Sequence, residues 1–350
     1  MATTEITADV SRVERSSGIS IPRTQPETPV EEHFSFHQRL DLIQTYGNHA
    51  MAFSTLQPRM NFFDVPGKGY LAYRRVWGAD MVLADPVCSE ADRGAVIGEF
   101  IRRHKNCGFV QTSRAVADLL NREHGFYATQ FGIESKIFLP DWDIKGKRKQ
   151  VLRTAKNQAE KQGIVFREAD HENRYQQISD DWLKTRKVKH REIHFLIRPM
   201  DIGYQRETRK FFAYAGDELI GFIFFDPLFE NHRIIGYIPN ISRFLNRFKQ
   251  GIFYALMLYA IEAFKSEGYE WINLGLSPLA MDVENEPNES GLLKKSQWIL
   301  YEYANAMYNF KGLRFAKSRF NGEEHRVYCC HREYMPAFKL LRLLKILNIF

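Results

Sequence analysis

The sequence runs to 350 residues with 44% hydrophobic and 26% charged side chains, the proportions of an ordinary soluble globular chain long enough for about two domains. Its 49 basic and 42 acidic groups leave a formal charge of +7, which favours RNA or an anionic membrane surface as partner, although charge alone equally describes a basic protein with no charged partner. Four cysteines, Cys88, Cys107, Cys329 and Cys330, are too few and too badly spaced for a disulfide framework or a zinc site, so no metal is expected and a reducing cytoplasm fits best. The N-terminus has no apolar signal core, and every apolar run breaks well short of the ~20 residues that span a bilayer. A soluble or peripheral protein is expected.

In chain order, residues 1–33 carry three prolines and no periodicity, which predicts a disordered tail. Phe36 to Tyr46 reads as a helix, followed by strands at Met51 to Leu56, Asn61 to Asp64, Gly69 to Arg74 and Met81 to Val87. Asp92 to Asn106 is a helix with Val96, Ile97, Phe100 and Ile101 on one face. Gly108 to Thr112 is a strand, Arg114 to Arg122 a helix and Gly132 to Leu139 a strand, closing a first α/β unit over residues 34–144.

Residues 145–165 form a basic connecting helix stopped by Gly163. Val151, Leu152, Ala155 and Ala159 make its apolar stripe, and Lys147, Arg148, Lys149, Arg153, Lys156 and Lys161 fill the rest. That basic face is either solvated or a phosphate-backbone contact, with Lys147, Arg148, Arg153 and Lys156 as the RNA-contacting candidates.

A second unit, 166–334, repeats the style of the first. Glu172 to Lys187 is a helix, Lys210 to Ala215 and Leu219 to Asp226 a hairpin, Arg233 to Ile238 a strand and Gly251 to Lys265 an apolar helix. Trp271 to Leu274 is a short buried strand that ends at Gly275, where a missing side chain permits close backbone approach. After a helix from Leu292 to Met307, the segment Phe315 to Phe320 reads as a strand whose period of two puts Lys317 and Arg319 on one face, a pairing suited to an anion. The end, 335–350, is a basic amphipathic helix that either lies on an anionic membrane or docks its apolar face on the domain.

Four segments in order carry a more specific signal. They are Asp85-Pro86; Gly146-Lys147, Leu152-Arg153, Ala155, Asn157 and Gly163; Asn273-Leu274-Gly275-Leu276-Ser277-Pro278-Leu279; and Phe310-Lys311-Gly312-Leu313-Arg314 with Lys317-Ser318-Arg319-Phe320-Asn321. Together they resemble the catalytic C-terminal domain of the phosphatidylglycerol lysyltransferases and alanyltransferases, the multiple peptide resistance factors, over roughly residues 45 to 335. The resemblance implies an α/β (α+β) tandem N-acetyltransferase-like (GNAT) fold of two acyltransferase-like domains. It further implies an aminoacyltransferase that takes an amino acid from aminoacyl-tRNA, the co-substrate, with no other cofactor. Without a membrane-spanning half, the chain looks like a free-standing member, similar to the valanimycin-type seryltransferase, and its acceptor is either a small natural-product intermediate or a membrane lipid.

The resemblance assigns Lys317 and Arg319 to the oxyanion or the terminal phosphates of the donor; a surface ion-pair role is the plainer alternative. Arg314 grips a phosphate or anchors a turn. Asn273, Gly275 and Ser277 form the strand edge beside them, and Glu192, which aligns with a glutamate near the family's Phe-Ser-Leu segment, is a substrate-binding candidate. Lysine-using members carry Asp-Leu-X-Arg where this chain has Asn240-Ile241-Ser242-Arg243. An amide in place of the acid predicts a neutral or small polar amino acid of the Ser, Ala or Gly class, unless Asn240 is simply a turn residue after Pro239. The family's Trp-Glu-Pro is replaced by Glu324-His325-Arg326. His194 and His325 are candidate bases.

Two other readings fit the sequence. An acetyl-CoA-dependent N-acetyltransferase would need a Gly-rich pyrophosphate turn, and Arg247 to Phe253 supplies only Gly251. A catalytically silent RNA- or membrane-binding module fits the charge alone.

Overall fold

The computed structural model describes residues 33–184, 194–200, 204–245, 249–281, 286, 288–303 and 310–348. The expected tail, Glu192, Arg247 and the end of the helix expected to reach Met307 lie outside the described residues. The first half runs α1 (Phe36–Tyr46), β1 (Asn61–Val65), β2 (Gly69–Val76), β3 (Ala79–Leu83), β4 (Val87–Cys88), α2 (Arg93–Arg103), β5 (Cys107–Thr112), α3 (Arg114–His124) and β6 (Tyr127–Phe138). The second half continues with α4 (Gln150–Lys161), β7 (Ile164–Glu168), α5 (Tyr175–Lys184), β8 (Arg209–Ala215), β9 (Glu218–Glu230), β10 (Arg233–Phe244), α6 (Lys249–Ser266), β11 (Trp271–Pro278), α7 (Gly291–Tyr303), α8 (Phe310–Ser318), β12 (Glu323–His331) and α9 (Ala337–Ile346).

Local chemistry sets several of these boundaries. Ser35 and Gln38 form a reciprocal capping box at the start of α1, and Ser113 caps α3 by accepting from the Val116 amide. β9 is buried continuously from Leu219 to Phe229, which explains an apolar sequence broken only by the ion-paired Asp226: a strand covered on both faces has no solvent side to alternate with.

Among the described residues all strands join one twelve-stranded sheet in the order β1-β2-β3-β5-β12-β6-β11-β10-β9-β8-β7, with β4 on β2. The two halves exchange strands. β12, from the end of the chain, inserts between β5 and β6, while β6 of the first half pairs antiparallel with β11 of the second. The α/β class and the doubled strand and helix order of a tandem acyltransferase fold are both present. One core packs α2 and α3 on the first half through Val96, Phe100, Val116 and Leu120. Another packs α4 and α6 on the second through Leu152, Ala155, Leu256 and Phe264. α9 buries Leu343 and Ile346 against Met81 and Leu83, so its apolar face does dock on the domain.

Three sequence expectations are corrected. Met51 to Leu56 is not a strand: Phe53–Leu56 is a buried 3-10 turn, a case where a short apolar run is compatible with either form. Val151 does not belong to the α4 stripe and is exposed, leaving Leu152, Ala155 and Ala159 buried. Phe315 to Phe320 is not a strand either, because residues 310–318 form α8. Its Leu, Arg, Ala and Lys are good helix formers, and docking on β11 overrides the alternation read at its end.

Candidate active site

Two strand separations, one in each half, create the clefts. In the second half β10 and β11 run parallel but pair only at Gly236 with Trp271 and Tyr237 with Ile272, then diverge. Past that point the β11–β6 ladder is interrupted between Asn273 and Leu276. Gly275 occupies the bulge with φ of 76°, a left-handed conformation that a side chain disfavours. Asn273, 1% exposed, fixes the bulge: its Oδ1 accepts from the Gly275 amide at 2.7 Å, and its Nδ2 donates to Glu134 Oε2 at 3.1 Å.

Lys317 reaches this bulge from α8. Its Nζ donates to the Leu276 carbonyl at 2.7 Å and sits 3.4 Å from where a Cβ on Gly275 would be. Burial pulls its ammonium down to about 7, against the opposing attraction of Glu134. Ser277 is buried two residues further along β11.

Arg319 is not brought beside Lys317. On a helix, two residues apart means roughly 200° of rotation, so the one-face pairing fails with the strand. Arg319 instead stacks on Phe315 at 3.7 Å, and its buried Nε has no partner. Arg314 donates to Glu324 at 3.0 Å and buries an unpartnered Nη1.

Other sequence candidates hold structure in place. Asn240 lies within β10, not in a turn, and its amide brackets the Arg198 backbone, accepting at 3.3 Å and donating at 3.2 Å. Arg243 is turned to α5, where it bonds Ser179 and stacks over Trp182. Along α4, Arg153 donates to the Ile144 and Gly146 carbonyls and Lys156 pairs with Glu262 at 2.7 Å. Lys147 is exposed at the approach to α4, and Arg148 donates to Asn321 at 3.2 Å, linking that approach to the turn after α8. His325 lies 3.5 Å from Glu323, and the His194 amide contacts the Leu347 carbonyl.

In the first half β3 and β5 are likewise parallel up to Leu83 with Val110, and β5 carries its own irregularity against β12. Gln111 occupies that irregularity with φ of 63°. Beside it opens a cavity of about 480 Å³ lined by His49, Asp85, Gln111, Glu134 and Lys136 among others. Gln111 Nε2 donates to Glu134 Oε1 at 2.7 Å, so the two oxygens of Glu134 are held from the two bulged strands. Sequence reading missed His49, Gln111 and Glu134: the contacts of Gln111 and Glu134 are made across the sheet, and His49 is marked only by its place in the cavity wall.

A family profile described as phosphatidylglycerol lysyltransferase, C-terminal, matches residues 40–331. The chain is 25% identical over 305 residues to a phosphatidylglycerol lysyltransferase of Bacillus subtilis, covering 82% of this chain and 34% of that protein. It thus spans about a third of the length of the curated relatives it matches. Among solved structures, that of L-PGS from Bacillus licheniformis superposes with a TM-score of 0.74 at 22% identity, covering 90% of this chain and 96% of that one. The C-terminal domain of a putative lysylphosphatidylglycerol synthetase from Agrobacterium fabrum gives 0.73 at 20%, covering 90% and 97%.

Proposed function

The chain belongs to the phosphatidylglycerol lysyltransferase C-terminal family, and from that membership we propose that it moves an amino acid from aminoacyl-tRNA to a nucleophilic acceptor in the cleft between β10 and β11. The observation that carries the reading is the Lys317 ammonium at the Gly275 bulge. An aminoacyl ester is already activated, so the protein has to hold the donor, orient the nucleophile and stabilise charge on the carbonyl oxygen. A cation in a water-poor cleft suits the last task. The bond from the carbonyl carbon to the ribose oxygen breaks and one to the acceptor forms; the ribose oxygen leaves as a hydroxyl, taking the proton the acceptor gives up. Exposed Lys147, with Arg148 near the turn after α8, offers the donor's phosphates a path toward Lys317.

For the amino acid we retain a neutral or small polar one. Asn240 brings no charge and its amide is occupied by the Arg198 backbone, while the nearby carboxylate, Asp226, is buried with Arg198 as its ion-pair partner. Neither Asn240 nor Asp226 offers a cationic side chain an open acid. The test is transfer from labelled seryl-, alanyl-, glycyl- and lysyl-tRNA in the presence of lipid extract or amine acceptors. Lys317→Ala is expected to lower transfer about 100-fold. Preference for lysyl-tRNA would overturn the amino-acid assignment, and unchanged transfer in the variant would overturn the site. Turnover of acetyl-CoA without RNA would favour the N-acetyltransferase reading, and RNA binding with no transfer the silent module.

A second observation concerns where the reaction takes place. Among the described residues no helix is long and apolar enough to cross a membrane. α7 exposes Leu292, Trp298 (54%) and Ile299, while Tyr334 and α9 expose Phe338 (76%) and Leu341; the two groups adjoin where Ser290 donates to the Tyr334 carbonyl. Lys295 on α7, Arg332 two residues before Tyr334, and Lys345 on α9 are exposed as well. Aromatic and basic side chains side by side fit an anionic lipid surface, and we assign that partner to this face.

A further inference from the structure

The cavity at the Gln111 bulge repeats, in the first half, the arrangement around Gly275 in the second. Each lies where parallel strands part, each contains a bulge residue with left-handed φ, and each leans on one oxygen of Glu134. In the second cleft Lys317 occupies the opening; in the first, the polar groups are left open. Gln111 is 4% exposed, yet its Oε1 is buried without a partner. Neither ring nitrogen of His49 has a partner, although both are shielded from solvent. Buried polar atoms are nearly always bonded, so three such atoms in one polar cavity indicate an absent occupant.

The wall has a definite polarity. Asp85 offers a carboxylate of which one oxygen accepts from the Ser113 amide at 2.8 Å, and Glu134 offers the second. Gln111 Oε1 adds a neutral acceptor. His49 is held below its ordinary value by burial, against the pull of Asp85 and Glu134, and so presents one acceptor nitrogen at neutral pH. Arg114 and Arg326 also line the cavity but are paired with Glu286, whereas the unpartnered Gln111 Oε1 and His49 nitrogen lie with two buried carboxylates, a set that favours a cation over a hydroxyl. Lys136, two residues beyond Glu134 on β6 and on the same face, lines the cavity with no ion-pair partner among the described residues.

We propose that this cavity is a second small-molecule site that takes a primary ammonium against Asp85, Glu134, Gln111 and His49, with an anionic group on the same molecule at Lys136. Its role as the acceptor's site rests on the transfer reading above; the binding itself does not. A zwitterion of this kind is either a soluble amine or a lipid headgroup.

The test is calorimetric titration of the full chain, without tRNA, with O-phosphoethanolamine, phosphocholine and glycerol 3-phosphate. Phosphoethanolamine is expected to bind at least about tenfold more tightly than the other two, since phosphocholine has no N–H donor and glycerol phosphate no cation. Asp85→Asn and Lys136→Met should each weaken it about tenfold. Lys136→Met carries the test alone if loss of the Ser113 contact unfolds Asp85→Asn. Equal affinity for the three ligands, no binding of any, or an unchanged Lys136→Met titration overturns the proposal. If binding holds, a preference for phosphatidylethanolamine over phosphatidylcholine vesicles assigns the headgroup to a lipid, and no preference assigns it to a soluble amine. Because no RNA is present, a failed titration leaves the transfer reading standing, and failed transfer leaves a positive titration standing.

Discussion

The Lys317 ammonium donates to the Leu276 carbonyl and has Glu134 as the nearby negative charge, and the loss of hydration on burial pulls its titration down to about 7. If catalysis uses the cation, kcat/KM should fall as pH rises through about 7. Glu134 raises the Lys317 value, so Glu134→Gln should move that fall to lower pH. A limb that instead rises through the same pH would recast Lys317 as a base. A second residue-scale expectation concerns Arg198 and Asp226, both 1% exposed and paired. Asp226→Ala strands a buried guanidinium and should cost about 3–5 kcal/mol in urea unfolding. A loss within about 0.5 kcal/mol would mean the pair is hydrated.

At the scale of elements, α7 and α9 make the membrane assignment testable. The full chain should sediment with vesicles containing phosphatidylglycerol and not with neutral ones, and Trp298→Ser with Phe338→Ser should lower that partition about tenfold. Retained partition in the double variant would remove the face from consideration. Elements were legible from sequence where their burial was uniform: β9, β11 and α6 present apolar runs that packing then uses. α8 was not, because Phe315, Lys317 and Arg319 alternate as a strand would, while the docking that decides the matter involves β11, whose Leu276 is 41 residues away. Lys317 was singled out by a strand periodicity that α8 overturns and, independently, by the family resemblance. Glu134 was invisible for the same reason as α8: its partners Gln111 and Asn273 are 23 and 139 residues distant, and a glutamate in an apolar strand gives no local sign of either.

Across the whole molecule, exchange of β6 and β12 ties the halves through continuous backbone pairing. Neither half can lose its lent strand without exposing two unpaired edges in the other. Urea unfolding should therefore give one transition, with tryptophan emission and far-ultraviolet circular dichroism coincident. Two separated transitions would show that the halves are independent. The exchange also places one carboxylate, Glu134, as the party wall of both clefts. A positive charge arriving on its first-half side would draw on the same negative potential that favours the protonated form of Lys317 on the other. Filling one chamber thus makes the opposite amine easier to deprotonate, a form of communication that needs no moving part.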